Sequence, residues 1–429
     1  MTSLGVSGSA SGPRFLVVGA GGIGGVVAAQ LLEQGHDVTT LTTNPLIADA
    51  INAHGFRVRG ESAPGTVRGR AVQALPKGTA PFDYVLLATQ PPQLEEAARS
   101  VEAVLAPDGH AVIFQNGLCE ERVEPILGTE RVIGAVVAWG ASMIEPGVYD
   151  RTSAGGFQIG RLDGSEDEAL TRLARALEAV GPTTITRRLR GARWSKLAIN
   201  CAISSLGTVG GDRLGVLMRH RYVRRLALEI MTETVEVARA LGVELEKVSG
   251  TLDLDWIALS EDERRSMGSP SLLAKHALLL AVGARYRRLR SSMLSAIERG
   301  REPSVDFLNG EVASRGAALG IATPINAAIR DEIWSIARGK ARPSQAQLRA
   351  FFDRTRALVS GGASLRPGPL SVPPAAQAEP ASAPPAAGAV DTSATIPDDA
   401  AFEASSSDAL RPGTTEEAEP LPGTMDDRG

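Results

Sequence analysis

Residues 15–24 read Phe-Leu-Val-Val-Gly-Ala-Gly-Gly-Ile-Gly, an apolar run that leads into closely spaced glycines. Four apolar residues followed by glycine predict a buried strand that ends in a tight turn. The residues from Gly25 to Leu32 have the composition of a helix, which Gly35 would stop. The stretch therefore predicts a strand, a turn and a helix, which is the first unit of an α/β fold.

The glycines of this stretch match the pattern G-x-G-x-x-G at Gly19, Gly21 and Gly24. Gly19 would permit the turn, Gly21 would let a pyrophosphate approach the backbone, and Gly24 would let the helix pack on the sheet. A plain structural corner uses glycines in the same way, but a strand before the pattern and a helix after it favour dinucleotide binding. We therefore predict cofactor contacts at Gly19, Ala20, Gly21, Gly22, Ile23 and Gly24.

The second predicted strand, over residues 38–41, bears on which dinucleotide is bound. Thr42, Thr43 and Asn44 follow it, so no carboxylate is present to bind the ribose 2′-hydroxyl of NAD or to repel a 2′-phosphate. Their side chains can donate hydrogen bonds, and we assign Thr43 to the cofactor site. The sequence favours NADP, although the arginine of many NADP sites is absent too.

Beyond this unit, the chain divides into segments that differ in their composition and in the spacing of their apolar residues. Short apolar runs alternate with helical stretches to about residue 185, which predicts a doubly wound parallel sheet of the Rossmann type with helices on both faces. After that the chain is predicted to be all helical, with helices over residues 222–241, 270–299, 306–317 and 324–337. We predict a flexible leader (1–13), a dinucleotide-binding domain (14–185), a helical substrate and catalytic domain (186–345), and a short helix followed by a disordered Pro/Ala/acidic tail (346–429).

The composition excludes several functional classes. A net charge of −4 provides no general basic surface for nucleic acid or an anionic membrane. The two cysteines, Cys119 and Cys201, exclude a disulfide framework and lack metal-ligand spacing, so we expect no metal site. With neither a signal peptide nor an apolar span, we expect a cytoplasmic protein that is a monomer or a homodimer. His276 and the basic run 285–290 are interpreted as part of a solvated helix that could attract an anionic substrate.

Five further segments carry a resemblance when they are taken together with the glycine loop. They are VLLATQPPQ (85–93), FQNG (114–117), WSKLAIN (194–200), SSML (291–294) and VDFLNG (305–310). In this order and spacing the chain resembles the ketopantoate reductase (2-dehydropantoate 2-reductase) family over residues 14–340. The resemblance implies a Rossmann domain followed by a helical domain. It also implies NADPH-dependent reduction of 2-dehydropantoate to pantoate, a step of pantothenate and coenzyme A synthesis.

The resemblance also assigns residues to the reaction. Lys196 takes the place of the family's general acid, and this agrees with the chemistry, because hydride addition builds charge on a carbonyl oxygen that must then be protonated. Asn200 is one helical turn further on and shares the face of Lys196, so we assign it both to catalysis beside Lys196 and to substrate binding. Asn116, at a strand end, would contact cofactor and substrate, although an Asn before Gly is also common in turns. Ser292 takes the place of the family's substrate-binding serine.

Two positions depart from the family pattern. Gln90 replaces a lysine that the family commonly has after its fourth strand, and Ser304 replaces a glutamate, with Glu302 the nearest acidic residue upstream. We keep Gln90 in the predicted cofactor site and Ser304 in the predicted substrate site. Because both changes remove a charge, two alternatives stay open: a reductase of another 2-oxo acid or ketone, and a catalytically silent NADP-binding sensor.

Overall fold

The computed structural model of the protein describes residues 12–247, 252–265 and 268–360. Nearly all of the predicted leader and all but the first fifteen residues of the predicted terminal segment lie outside these ranges. The first part of the described chain forms two sheets. Their strands are β1 (Arg14–Val18), β2 (Asp37–Leu41), β3 (Phe56–Gly60), β4 (Gly65–Val67), β5 (Arg70–Val72), β6 (Phe82–Leu87), β7 (Leu105–Ile113), β8 (Val132–Val137), β9 (Ala141–Glu145), β10 (Val148–Arg151), β11 (Phe157–Gly160) and β12 (Thr183–Ile185).

The larger sheet has eight strands in the order β12-β11-β8-β7-β6-β1-β2-β5. β1 is parallel to both neighbours, with Phe15 opposite Val38 on one side and Tyr84 on the other. Phe15 and Val17 contribute to one hydrophobic core, while Leu16 and Val18 contribute to the core on the opposite face. Alternation between two buried faces explains why β1 has no polar residue after Arg14.

Five helices accompany these strands: α1 (Gly22–Glu33), α2 (Pro45–His54), α3 (Leu94–Val101), α4 (Glu120–Leu127) and α5 (Glu168–Leu177). The prediction of a Rossmann-type sheet with helices on both faces is confirmed. The chain reverses its direction of strand addition after β5, so that β1 lies between β2 and β6. This is the topological switch point, where open α/β sheets bind their ligands.

Two features of the sheets differ from the prediction. β11 runs antiparallel to β8, so the sheet is mixed, with β12 parallel to β11. The second sheet, in the order β4-β3-β10-β9, was not predicted at all. It packs on the outer side of α1, and a hairpin over β9 and β10 pairs with β3, about ninety residues earlier in the chain.

The second part of the described chain is helical, as predicted. Its helices are α6 (Leu189–Gly210), α7 (Leu214–Leu217), α8 (Arg221–Ala240), α9 (Leu254–Ile257), α10 (Glu261–Arg265), α11 (Pro270–Arg285), α12 (Ser292–Glu298), α13 (Asn309–Leu319), α14 (Pro324–Ala337) and α15 (Gln345–Ser360). α6 is central and contacts α8, α12, α14 and α15. It ends at Gly211, whose φ of +70° is a left-handed conformation that glycine adopts readily.

The prediction of one continuous helix over residues 270–299 is wrong. The chain leaves the helix after Arg285 and turns, because the backbone carbonyl of Leu289 accepts a hydrogen bond from the amide of Leu214, at the start of α7. A new helix, α12, then begins with Ser291 as its N-cap. The predicted helix over 306–317 is also shifted, because residues 304–307 form a 3-10 turn before α13.

α15 packs on the helical core with Leu348 and Phe351 fully buried. The helical core therefore continues past residue 345 in the part of the chain that the structure describes. No helix within the described ranges is long and apolar enough to span a membrane.

Candidate active site

The turn after β1 has the geometry expected of a phosphate-binding loop. Gly19 has a φ of +100°, and a Cβ there would lie 2.9 Å from the backbone of Ala88 in the loop after β6. A Cβ on Gly24 would lie 2.0 Å from the carbonyl oxygen of Gly19. A Cβ on Gly21, the N-cap of α1, would meet no heavy atom within 4 Å. The open space is therefore at the position where a pyrophosphate would approach the helix N-terminus, so the loop fits a dinucleotide.

Two further positions of α1 require glycine because of contacts with another part of the chain. A Cβ on Gly22 would lie 2.3 Å from the carbonyl oxygen of Ala141, and one on Gly25 would lie 2.1 Å from the Tyr149 ring. Both neighbours belong to the unpredicted hairpin over β9 and β10, and the Tyr149 hydroxyl donates to the carbonyl oxygen of Ala20 at 3.2 Å. The second sheet thus supports the phosphate loop from outside.

The residues after β2 lie on the same edge of the sheet. Thr43 and Asn44 are exposed, and Thr42 is buried. The Asn44 side-chain oxygen accepts from the amide of Leu46 at 3.0 Å and caps α2, so that part of its side chain has a structural role. Thr43 remains the better candidate for a contact with the ribose.

The loops after β6 and β7 carry Gln90 and Asn116. Gln90 is exposed and precedes a 3-10 turn, whereas Asn116 is half-buried. The Gln115 side chain donates to the Thr89 carbonyl oxygen at 3.1 Å and ties the two loops together. Gln115 is not among the predicted site residues, although a polar residue directly after a buried strand is a usable signal.

Lys196 extends from α6 to the carboxyl edge of the sheet. Its neighbours from Gly191 to Asn200 are buried, whereas Lys196 itself is half-buried. Nζ donates to the carbonyl oxygen of Val137, the last residue of β8, at 2.8 Å. Because β8, β7, β6 and β1 are parallel, the ammonium group and the phosphate loop lie on the same edge. Three strand spacings separate β8 from β1, about 14 Å.

Asn200 follows Lys196 by four residues and lies on the same face of α6. It is buried, with 3% of its surface exposed, and its Nδ2 has no hydrogen-bond acceptor within the described part of the chain. A buried amide without an acceptor costs free energy unless a bound molecule supplies one. Asn200 is therefore suited to donating a hydrogen bond to a substrate.

A buried arginine fixes α6 against the sheet beside Lys196. The Arg193 guanidinium donates to the carbonyl oxygens of Ile113 at 2.8 Å and Gln115 at 2.9 Å, on either side of the end of β7. Its Nε also donates to the Glu120 carboxylate at 2.7 Å, and both side chains are 1% exposed. Burial raises the pKa of Glu120, and the neighbouring guanidinium counteracts that rise. Arg193 is not among the predicted site residues, although a charged residue among apolar neighbours three positions before Lys196 is a usable signal.

The turn that carries Ser304 meets the loop that carries Asn116. Gly117 has a φ of +97°, and a Cβ there would lie 2.5 Å from the Phe307 carbonyl oxygen. The guanidinium of Arg122, in α4, lies 4.8 Å from the centre of the Phe307 ring. Ser304 is half-buried and begins this 3-10 turn, whereas Glu302 is exposed. Asn116 and Ser304, both predicted site residues, are thus brought into one region.

Ser292 is exposed at the first position of α12, and its neighbour Ser291 is buried instead. The Ser291 hydroxyl donates to the Ser204 carbonyl oxygen at 2.9 Å and lies 2.8 Å from the Thr208 hydroxyl. Ser204 is eight residues beyond Lys196 on α6, which is about 12 Å along the helix axis. The hydrogen bond between Ser291 and Ser204 therefore holds the start of α12 about two turns of α6 away from the Lys196 ammonium group.

The two cysteines, Cys119 and Cys201, are both buried. Burial raises the pKa of the Cys119 thiol to about 12, and that of Cys201 well above its ordinary value, so neither is a ready nucleophile. Within the described residues no group of three or more His, Cys, Asp and Glu side chains could hold a metal ion.

Comparison with protein families gives two matches along the chain. A model described as "Ketopantoate reductase PanE/ApbA" matches residues 15–164, and its C-terminal counterpart matches residues 188–336. Together they cover most of the chain. The first match corresponds to the part of the fold with the sheets, and the second corresponds to the helical part, in the order of the chain.

Among curated proteins, the chain is similar to a 2-dehydropantoate 2-reductase of Pyrococcus horikoshii. The two are 24% identical over 328 residues, which is 76% of this chain and 97% of that protein. A 2-dehydropantoate 2-reductase of Aquifex aeolicus is 28% identical over 319 residues, 73% of this chain and 93% of the relative.

Solved structures show the same fold. A PanE/ApbA family ketopantoate reductase from Ralstonia eutropha superposes with a TM-score of 0.63 at 26% identity, covering 76% of this chain and 99% of that one. D-mandelate dehydrogenase, solved with NADH and anilino(oxo)acetate, has a TM-score of 0.65 at 18% identity over the same shares of the two chains.

Proposed function

The chain belongs to the ketopantoate reductase family, and from this premise we propose that it reduces 2-dehydropantoate to pantoate with NADPH. Membership of the family makes it an oxidoreductase that acts on a small keto acid with a nicotinamide dinucleotide. The observation that carries the proposal is the position of Lys196, whose Nζ lies 2.8 Å from the last carbonyl oxygen of β8, on the edge that holds the phosphate loop.

Residues of the loop would hold the cofactor. The N-terminus of α1 and the open space at Gly21 suit the pyrophosphate, and Thr43 suits the ribose end. Gln90 and Asn116, which follow β6 and β7, suit the nicotinamide end. A bound NADPH supplies the hydride for the carbonyl carbon of the substrate.

Lys196 would supply the proton. Reduction of a carbonyl develops negative charge on its oxygen, and the Lys196 ammonium group would stabilise that charge and then transfer a proton to give the alcohol. The amine left behind regains a proton from water. Asn200, with an amide that has no acceptor within the described chain, would donate a hydrogen bond to the same substrate and orient it.

A second candidate is the reduction of a different small 2-oxo acid. Ser304 and Gln90 motivate it, because neither supplies the charge that the family usually has at those positions. Losing a charge-assisted contact typically weakens binding by about 2–5 kcal/mol. The machinery of Lys196 and the loop would be retained while the preferred substrate changed.

The test of the proposal is NADPH oxidation by the purified protein, with 2-dehydropantoate and with a panel of other 2-oxo acids. We expect 2-dehydropantoate to give the highest kcat/KM, and NADPH to be preferred to NADH. Turnover of another 2-oxo acid alone would favour the second candidate. If NADPH binds but none of the acids oxidises it, the catalytically silent NADP-binding sensor is the alternative that remains.

Replacing Lys196, the proposed general acid, distinguishes an effect on the chemical step from an effect on cofactor binding. We expect Lys196→Ala to lower kcat by about 10²–10⁴-fold, the usual contribution of a general acid, with little change in NADPH affinity measured by fluorescence titration. Lys340→Ala, at an exposed lysine beyond α14, is the matched control and should behave like the wild type. Wild-type turnover in the Lys196 variant would remove this residue from the mechanism.

A further inference from the structure

Arginines from two segments of the helical part lie on one region of its surface. Arg213 and Arg219 flank α7, Arg285 is the last residue of α11, and Arg287 and Arg288 belong to the turn after it. All five side chains are exposed. We call these five residues the arginine patch.

The two segments are in direct contact through their backbones. The amide of Leu214 donates to the carbonyl oxygen of Leu289 at 2.8 Å. A Cβ on Gly215 would lie 2.6 Å from the Cα of Arg287, so α7 leaves no room for a side chain where it meets the turn. These contacts hold the arginine patch together even though its two segments are about seventy residues apart in the chain.

The charge of the arginine patch is not neutralised by the part of the chain that the structure describes. There, none of its five guanidinium groups lies within ion-pair distance of a carboxylate. Asp212 is the one acidic residue in the range 211–228, and its side chain accepts from the Gln345 amide at 2.9 Å and from the backbone amide of Arg213 at 2.7 Å. The range 270–297 contains no acidic residue.

The start of α8 adds to this positive potential. α8 begins at Arg221, two residues beyond Arg219, with no acidic residue in its first turn and no side-chain cap. The N-terminus of a helix is the positive end of its dipole, where acidic side chains stabilise the helix and basic ones do not. The surface around the arginine patch therefore suits an anionic partner with several negative charges.

We propose that the arginine patch binds an acidic segment of the same chain, residues 391–427, which lie outside the described ranges. This segment contains ten acidic residues and one basic residue. Residues 361–429 as a whole contain eleven acidic and three basic residues, a net charge of −8, so the rest of the chain carries +4 of the overall −4. Because the two charged segments are covalently linked, each is present at a high effective concentration for the other.

The acidic segment is within reach of the arginine patch. Gln345 is the first residue of α15 and bonds to Asp212, which is next to Arg213. Ser360 is the last residue of α15, about 23 Å from Gln345 along the helix axis. Asp391 is 31 residues further on, and a flexible coil of that length has an average span of about 28–33 Å. The acidic residues therefore begin at a distance from Ser360 that allows a return to the arginine patch.

The contact is expected to depend strongly on salt. The arginines of the patch are exposed to solvent, and salt at physiological ionic strength screens charges over about 8 Å. Docking should therefore be clear at low ionic strength and lost at high ionic strength, with little effect on the free energy of unfolding.

The test is a disulfide formed within the full chain. Ala284→Cys places a thiol on an exposed residue beside Arg285, and Ser406→Cys places one in the acidic segment. The native Cys119 and Cys201 are buried and should not react. On oxidation of the dilute protein we expect a disulfide within one chain, formed several-fold faster in about 50 mM than in about 0.5 M salt. Formation is followed by peptide mapping without reduction.

A matched pair of variants in this background shows whether the arginine patch directs the reaction. We expect Arg287→Gln/Arg288→Gln to slow the disulfide at low salt by at least about threefold, the change expected from losing exposed ion pairs. The control Arg70→Gln/Arg175→Gln removes the same charge from two exposed arginines of the sheet part and should leave the rate unchanged.

Three outcomes would overturn the proposal. They are equal rates with and without the patch substitutions, a rate that does not respond to salt, and a disulfide that joins two chains instead of one. If the rates are equal while a labelled single-stranded oligonucleotide binds the wild-type chain and not Arg287→Gln/Arg288→Gln, the arginine patch binds nucleic acid instead of the acidic segment.

Discussion

At the scale of single residues, the buried pair of Arg193 and Glu120 holds the proposed general acid in place. Both side chains are 1% exposed, and Arg193 also satisfies two carbonyl oxygens at the end of β7. Removing one partner leaves a buried charge unpaired, which typically costs about 3–5 kcal/mol. We expect Arg193→Met to lower the free energy of unfolding by that amount in urea titrations, and to lower kcat because Lys196 is one turn away.

The double variant Arg193→Met/Glu120→Leu is the control for this prediction. With both charges removed, most of the lost stability should return, because an apolar pair of similar volume avoids the desolvation cost. If the single and double variants are equally stable, the ion pair is not what holds the helix. If stability returns without turnover, Arg193 acts by positioning Lys196.

Site residues that could be predicted from the sequence are fixed by local contacts, whereas those that could not be predicted depend on contacts with distant parts of the chain. Gly19, Gly21 and Gly24 could be predicted because a local turn dictates glycine, and the structure has a positive φ at Gly19, open space at Gly21 and a close approach at Gly24. The partners of Arg193 lie more than seventy residues away in the chain, so local patterns carried no information on them. The positions of Ser292 and Ser304 likewise depend on how α12 and its following turn dock on α6.

At the scale of elements, α11 contains a titratable group on its buried face. His276 is 6% exposed, and burial, with the arginines Arg224, Arg221 and Arg225 of α8, lowers its pKa to about 4. The unfolded chain takes up this proton near pH 6.5, whereas the folded protein resists it until about pH 4, so stability that is fully present above pH 6.5 is lost progressively as the pH falls from 6.5 towards about 4. Allowing for solvent screening of the arginines, we expect up to about 2 kcal/mol of this loss by pH 5.

The measurement is the difference in unfolding free energy between pH 7.5 and pH 5 for the wild type and for His276→Leu. The variant should lose less stability over this interval, because it has no imidazole to protonate. His54→Leu, at an exposed histidine in α2, should lose as much as the wild type. Parallel losses in all three proteins would show that protonation of His276 does not destabilise the fold.

The elements themselves were predictable where local signals and packing agree. α14 spans the predicted residues because Pro324 fixes its first turn and its apolar spacing is regular. The predicted helix over 270–299 failed because the loop between α11 and α12 is fixed by the amide of Leu214, a contact with another part of the chain. The β9–β10 hairpin was missed because its strands are short and pair with β3 instead of with the main sheet.

At the scale of the whole molecule, ion pairs join the sheet to the helices around the site. Arg122 of α4 pairs with Glu311 of α13 at 2.7 Å, and Arg315 of α13 pairs with Glu121 of α4 at 2.6 Å. These reciprocal contacts, together with Arg193, fix the helical part against the end of β7. The overall division into a sheet part and a helical part could be predicted from the pattern of apolar runs and helical stretches, but this docking required coordinates.

Truncation of the chain can show how much of it this assembly needs. The relative from Pyrococcus horikoshii is covered over 97% of its length by only 76% of this chain, so a unit close to the described core makes a complete protein of this family. We therefore expect deletion of residues 361–429 to leave kcat and the unfolding free energy unchanged. Deletion from residue 345 onward also removes Leu348 and Phe351, which are fully buried, and should cost about 3–6 kcal/mol. Urea titrations of the two truncated chains beside the full chain give the comparison. A shorter deletion that destabilised the protein as much as the longer one would mean that the core extends beyond α15.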